Sequence, residues 1–196
     1  MRLQKQDLGV VLFVVTLAAS LTLNVLQFQW QTETPSNQRP AGFAEASVLP
    51  SLPFETTDGQ HDLITFDKDT LVYVFAPGCS WCKRDYPNID VIQRATAQRF
   101  RFVAITRYGD NAPRAYEELL ESYLREHKYA QVALVRGEEI SAEVVRGLGL
   151  TPQLLVVRPG GKIARAWHGA ITGRALEDAE EFFGVRLQNA AVAESQ

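Results

Sequence analysis

Blocks of apolar and polar positions change their period several times along the chain, and each change marks an element. Leu8–Phe28 (LGVVLFVVTLAASLTLNVLQF) is almost continuously apolar, and no charged residue occurs from Leu8 through Thr32. At about 1.5 Å per residue, such a run can cross a hydrocarbon core of roughly 30 Å. Gln31–Ala46 is polar and contains Pro35, Pro40 and Gly42, the composition of a flexible tether. Val48–Pro50 and Leu52–Phe54 then read as short edge segments, with Asp58-Gly59 as a turn between hairpin-like arms. Leu71–Ala76 (LVYVFA) is apolar, β-branched and aromatic throughout, as expected of a central strand buried on both faces.

Helical spacing follows over Ser80–Phe100, with Pro87 inside it, and Phe100–Thr106 is a second strand. Pro113 opens a helix that carries Glu117, Glu118 and Glu121 near its polar face and ends around His127. Gln131–Val135 is a short strand, and Ser141–Leu148 a helix with Ser141 as its cap. Gln153–Arg158 (QLLVVR) is another buried strand, and Pro159–Lys162 turns it into Ile163–Trp167. Arg174–Phe183 is a closing helix. Strand–helix–strand alternation, then a hairpin and a helix, predicts an α/β domain with a mixed central sheet flanked by helices. The predicted organisation is a transmembrane helix over residues 1–30, a linker over 31–46, one domain over 47–187 and a disordered tail over 188–196.

Composition narrows the function. The chain has 196 residues, is 46% hydrophobic and 22% charged, and carries a net charge of -3, so it offers no positive field to nucleic acid. Arg2 and Lys5 precede the apolar run and Trp30 follows it. Positive charge favours the cytoplasmic side, so the expected topology is a single-pass anchor in the inner membrane with the domain exported to the periplasm. The competing reading is a cleaved signal peptide, with Ala18-Ala19-Ser20 as its small-residue site. The apolar run continues well past that point, which favours the anchor.

The two cysteines, Cys79 and Cys82, are too few for a disulfide framework. In FAPGCSWCKRDYP, a buried strand delivers the chain to a Pro77-Gly78 turn, and Cys79 falls at the start of the next helix. Unsatisfied N–H groups and the positive end of the helix dipole stabilise a thiolate there, and the thiolate is the nucleophile of disulfide exchange. The spacing puts Cys82 one turn along, so Cys79 is the expected attacker and Cys82 the resolver. A zinc site would need two more ligands at suitable spacing, which the sequence does not offer. A purely structural disulfide over so short a loop would add little stability, and a cysteine after Pro-Gly at a helix start is poorly placed for simple burial. Thr151-Pro152, at the mouth of the QLLVVR strand, is a typical site for a cis peptide, although an ordinary strand-entry proline has the same signature. His61, His127 and His168 stand apart and read as surface or capped residues.

Together these residues resemble the thioredoxin superfamily and, within it, the membrane-anchored TlpA/ResA-like branch. The resemblance is carried by LPFETTDGQ, the apolar strand into CSWC, Pro87, GLTPQLLVV and RPGGKIARAWHG. It implies a thioredoxin-like fold with an extra helix and strand at 113–135, and Thr151-Pro152 facing the CxxC helix start. It also implies catalytic roles for Cys79, Cys82, Pro152 and Asp85, the last standing where family members often carry an acid three positions after the second cysteine. Asp85 would accept the proton of Cys82; an acid serving only the helix dipole is the other reading. Trp81 and Thr151 would contact a client polypeptide, with Trp81 as a lid over its own core the alternative. The chain departs from the pattern in having Ser80-Trp81 without a proline between the cysteines, and Pro77-Gly78 where an aromatic is usual.

The implied activity is extracytoplasmic dithiol exchange that reduces disulfides in exported cysteine-containing proteins, such as cytochrome c apoproteins. Its electrons would come from a membrane dithiol donor, and no cofactor or metal is expected. A disulfide-forming oxidant is the runner-up. A copper-delivery module of the same fold is a third reading, though those proteins usually show CxxxC and a histidine ligand. A peroxiredoxin-type peroxidase is excluded, because Ala76 and Val72 occupy the positions where its motif needs Thr or Ser and Pro.

Overall fold

A computed structural model of the chain describes residues 42–108 and 114–188. The expected anchor (1–30), most of the linker and the tail from 189 onward lie outside the described residues. Among the described residues no helix is long and apolar enough to cross a membrane.

Seven strands form one mixed sheet: β1 (Leu52–Glu55), β2 (His61–Ile64), β3 (Thr70–Val74), β4 (Arg101–Tyr108), β5 (Val132–Arg136), β6 (Gln153–Val157) and β7 (Ile163–His168). Their order across the sheet is β2-β1-β5-β4-β3-β6-β7. β3, β4 and β5 run parallel, and β6 returns antiparallel to β3. Every residue of β3 and β6 is buried, as their unbroken apolar runs require. Alternation then sorts the side chains. Leu71, Tyr73, Leu154 and Val156 face one core, whereas Val72, Val74, Leu155 and Val157 face the other.

The first core is covered by helices α1 (Ser80–Thr96), α2 (Arg114–Glu126) and, later in the chain, Arg174–Phe183. On α1, Cys82, Asp85, Ile89, Ile92 and Thr96 recur at spacings of three and four and form its buried stripe. The helix ends at Thr96, earlier than the expected Phe100; the N–H groups of Arg99 and Phe100 both close on the Thr96 carbonyl, and the Phe100 ring is buried as the chain enters β4. The second core is covered by the short α3 (Ala142–Gly147), whose cap Ser141 accepts from Val144 N–H as the sequence predicts. Gly147 on α3 packs against the Phe43 ring so closely that a Cβ there would lie 2.5 Å from it. The closing helix α4 (Arg174–Phe183) matches its expected bounds and sets Ala179 and Phe183 into the first core.

The hairpin between β6 and β7 turns on Gly160 and Gly161, both at positive φ. At Gly161 a side chain would also collide with the Leu49 carbonyl. That close approach reflects how the entry segment runs along the outer side of β7. Ala46 N–H donates to Ile163 O (2.8 Å), Ile163 N–H to Ser47 O (2.9 Å) and Leu49 N–H to Gly161 O (2.9 Å). The packed region therefore begins before residue 47. Phe43 is buried, and its N–H donates to Gln153 Oε1 (3.0 Å). The polar composition of 31–46 hides this, because a single aromatic does the anchoring.

Candidate functional site

β3 ends in the middle of the sheet, and Ala76–Gly78 turn the chain into α1. Cys79 is the N-cap of α1: its backbone is extended, its N–H donates to Ala76 O (3.0 Å), and its Sγ accepts Cys82 N–H (3.1 Å). One of the orphan donors of the helix start thus points at sulfur, the arrangement that stabilises a thiolate. Cys79 and Cys82 form a disulfide with Cα atoms 5.2 Å apart. Cys79 is half-buried and Cys82 fully buried. Of the two sulfur-bearing residues, only Cys79 keeps any exposure to solvent.

The antiparallel register Val74↔Gln153 sets the beginning of β6 beside the end of β3. Thr151–Pro152 therefore lies at the same end of the sheet as the Ala76–Gly78 turn, with Pro152 buried and its peptide bond cis. Gln153, one residue on, is fully buried and was not singled out from the sequence. Its side chain joins three stretches: Oε1 accepts Phe43 N–H, and Nε2 donates to Gly147 O (2.7 Å) and Leu150 O (2.5 Å). A lone polar residue opening an otherwise apolar strand was the available signal.

The fold these features build, a CxxC at the start of the helix that follows a central strand, with a cis-proline opening the neighbouring antiparallel strand, is decisive. The chain has a thioredoxin fold. Solved structures agree. It resembles a thiol:disulfide interchange protein from a Bacteroides species (TM-score 0.54, 21% identity, covering 73% of this chain and 92% of that one). It also resembles the thioredoxin domain of a thiol-disulfide oxidoreductase from Bacteroides vulgatus (0.52, 20%, 72% and 99%). A third similar structure is a thio-disulfide isomerase from Thermus thermophilus (0.50, 23%, 74% and 100%). No protein-family model and no curated relative matches the sequence.

Within this thioredoxin-fold domain Asp85 lies one turn beyond Cys82 on the buried face of α1 and is 1% exposed. Ile171 N–H donates to its Oδ1 (3.1 Å). Burial pushes its carboxyl up to about 6, opposed by that N–H and by the Asn88 side chain. The reading of Asp85 as a helix-dipole acid fails on this geometry, since the first turn of α1 carries no acid and Asp85 faces the core. Tyr73 lies beneath, its hydroxyl 3.5 Å from Cys82 O, and its own pKa is raised by burial and by Asp85.

Trp81 is 50% exposed, with the Arg84 guanidinium 4.8 Å above its ring, so it is not a lid over the core. Thr151 is half-buried beside Pro152. The histidines take no part in this site. His61 is exposed on β2, and His168 Nε2 pairs with Phe43 O (2.9 Å). His127 departs from the surface reading: it sits between the Tyr86 and Tyr123 rings (4.1 and 4.3 Å between centroids), and burial lowers its pKa. Among the described residues no group of three His, Cys, Asp or Glu side chains is placed to hold a metal.

Proposed function

We propose that this protein is a thiol–disulfide oxidoreductase that reduces disulfides of exported proteins through Cys79 and Cys82. The observation that carries this reading is the asymmetry of the pair: a reachable sulfur at a helix N-terminus bonded to a buried one that lies one turn from a buried acid.

In the reduced protein the Cys79 thiolate attacks one sulfur of the client disulfide. The client S–S bond breaks, its other sulfur leaves as a thiolate, and a Cys79–client mixed disulfide forms. The Cys82 thiol then gives its proton to Asp85 and attacks Cys79 sulfur. The Cys79–client bond breaks and the second client sulfur leaves as a thiolate; one client thiolate is protonated at the expense of the proton now on Asp85 and the other by water. Two electrons have passed from the cysteine pair to the client, and a membrane dithiol donor returns them. One feature favours this direction: no cation stands between the cysteines, where strongly oxidising members of the fold gain thiolate stabilisation.

Trp81, exposed two residues after Cys79, and Thr151, half-buried at the same end of the sheet, would serve as contacts for the client segment. The apolar run at 8–28, led by Arg2 and Lys5, would hold the domain on the periplasmic face of the inner membrane, where cytochrome c apoproteins are candidate clients.

Three experiments test this reading. Cys79→Ser abolishes exchange, and Cys82→Ser accumulates mixed disulfides that mass spectrometry identifies; trapping by Cys79→Ser alone reverses the roles. Equilibration with dithiothreitol or glutathione buffers gives a potential below about -220 mV for a reductant, whereas one near -120 mV makes the protein an oxidant. A phosphatase fused after Gln196 is active if the domain is exported.

A further inference from the structure

Asp85 lies one turn beyond Cys82 and Pro152 at the same end of the sheet as the Ala76–Gly78 turn, far apart in sequence, yet both are bonded to one short loop. The Gly169–Gly173 loop joins β7 to α4. At its start, Gly169 N–H donates to Pro152 O (2.9 Å), and two residues later Ile171 N–H donates to Asp85 Oδ1 (3.1 Å). Ile171 is 1% exposed, so its N–H has no access to water as an alternative partner. Gly169 has φ +79 with open space where a Cβ would stand, so backbone conformation and not crowding calls for glycine there.

The structure assigns to the Gly169–Gly173 loop a positioning role in exchange: it ties the Asp85 carboxyl to the Pro152 carbonyl, so that the charge on the acid governs how the Thr151–Pro152 segment is held for the client. The physical basis is that an ionised carboxylate is a much stronger acceptor for an N–H than a neutral acid. When Asp85 takes the proton of Cys82, its hold on Ile171 weakens, and only Ala170 separates Ile171 from the N–H that secures Pro152. The step that frees the client sulfur would thereby loosen the segment on which the client lies. The groups facing Asp85 do not supply a competing charge. They are the Tyr73 hydroxyl from β3, the Tyr123 hydroxyl from α2 and Asn88 on its own helix, and burial raises both phenols well above neutral pH.

This inference rests on the exchange reading, and its test separates the two. Steady-state reduction of a disulfide-bonded client peptide is measured for the full-length chain and for Asp85→Asn and Asp85→Ala, with each variant's fold checked by circular dichroism. Asparagine keeps an acceptor for Ile171 N–H but cannot take a proton; alanine loses both. The expected result is that both variants lose kcat alike, while only Asp85→Ala raises KM for the client several-fold. Equal KM values in two folded variants overturn the loop's role. An inactive wild-type chain overturns the exchange reading instead.

Amide hydrogen exchange on the oxidised wild-type chain decides the coupling whether or not Asp85→Ala folds. After correction for intrinsic rates, protection at Ile171 and at Gly169 should fall together as pH drops through about 6, where Asp85 titrates. Loss at Ile171 with Gly169 unchanged, or no change at either, overturns the coupling.

Discussion

Replacing Asp85 by asparagine should stabilise this protein at neutral pH and not at low pH. Burial raises the Asp85 carboxyl from 3.8 to about 6 in the folded chain. The folded state therefore binds a proton more readily than the unfolded state between those two values. Stability linked to this group is fully present below about pH 4 and is lost as pH rises through about 6. The separation corresponds to about 3 kcal/mol of folding free energy withheld at pH 7.5. Asparagine resembles the neutral acid, keeps an acceptor for Ile171 N–H and has nothing to titrate. Its offset from wild type at low pH reflects only the change of amide for acid. The useful quantity is the change in that offset, which should grow in the variant's favour by roughly 2–3 kcal/mol between pH 4 and 7.5. In a domain of this size that is a gain of about 5–10 °C in Tm. Denaturant titration of the oxidised chain at several pH values measures it. Wild-type and variant curves that stay parallel across the range would refute the argument, since they would mean that Asp85 ionises in the fold as easily as in the unfolded chain. The same variant should resolve mixed disulfides more slowly, by about 10² or more if proton acceptance is its role, so this site trades stability for rate.

Three further outcomes follow from neighbouring features. Gln153→Leu strands the Phe43 N–H and the Gly147 and Leu150 carbonyls at once, and should lower unfolding free energy by about 1–3 kcal/mol or more in denaturant titration. Gly147→Ala drives a Cβ into the Phe43 ring and should cost about 1–3 kcal/mol by the same assay, a loss that Phe43→Ala should partly relieve in the double variant. Trp81→Ala should change stability by less than about 1 kcal/mol, because half the ring and its Arg84 partner are exposed. It should nevertheless slow reduction of a polypeptide client and leave that of a small aromatic disulfide unchanged; equal slowing of both would remove Trp81 from client recognition.

The elements were legible where one force set them. The runs LVYVF and QLLVV are buried on both faces and leave no alternative to central strands. Arg174–Phe183 has a positive-φ glycine at each end and an amphipathic pattern between, and its bounds were readable to the residue. The cysteine pair was legible for a related reason: a strand, a Pro-Gly turn and a helix start fix where Cys79 falls. What escaped depends on long-range backbone bonds. Nothing in the side chain of Ile171 announces that its N–H reaches Asp85 across 86 positions. Phe43 stands in a polar stretch, and the partners that hold it, Gln153 and His168, lie 110 and 125 positions away. The role of Asp85 was half visible. Its place three after Cys82 pointed to the site, but its burial depends on α4 and the loop before it.

The entry segment along β7 bears on how any shortened form of this chain behaves. β7 is the last strand of the sheet, and residues 45–49 occupy the groups it would otherwise offer to solvent: backbone bonds at Ala46, Ser47 and Leu49, a bridge from Val48 to Lys162, and the Glu45 carboxyl on Ala166 N–H. At the opposite margin β2 is short, and His61 and Asp62 are exposed on it, which discourages pairing with a stranger. The β7 margin is longer, and within Ile163–Ala166 only Arg165 carries charge, so its backbone groups depend on the entry segment. A fragment trimmed to begin after Leu49 would present Ile163–Ala166 as an open template, and copies could add to it strand by strand. Such a fragment should form light-scattering aggregates in a concentration-dependent way, while one that begins at Gly42 remains dispersed.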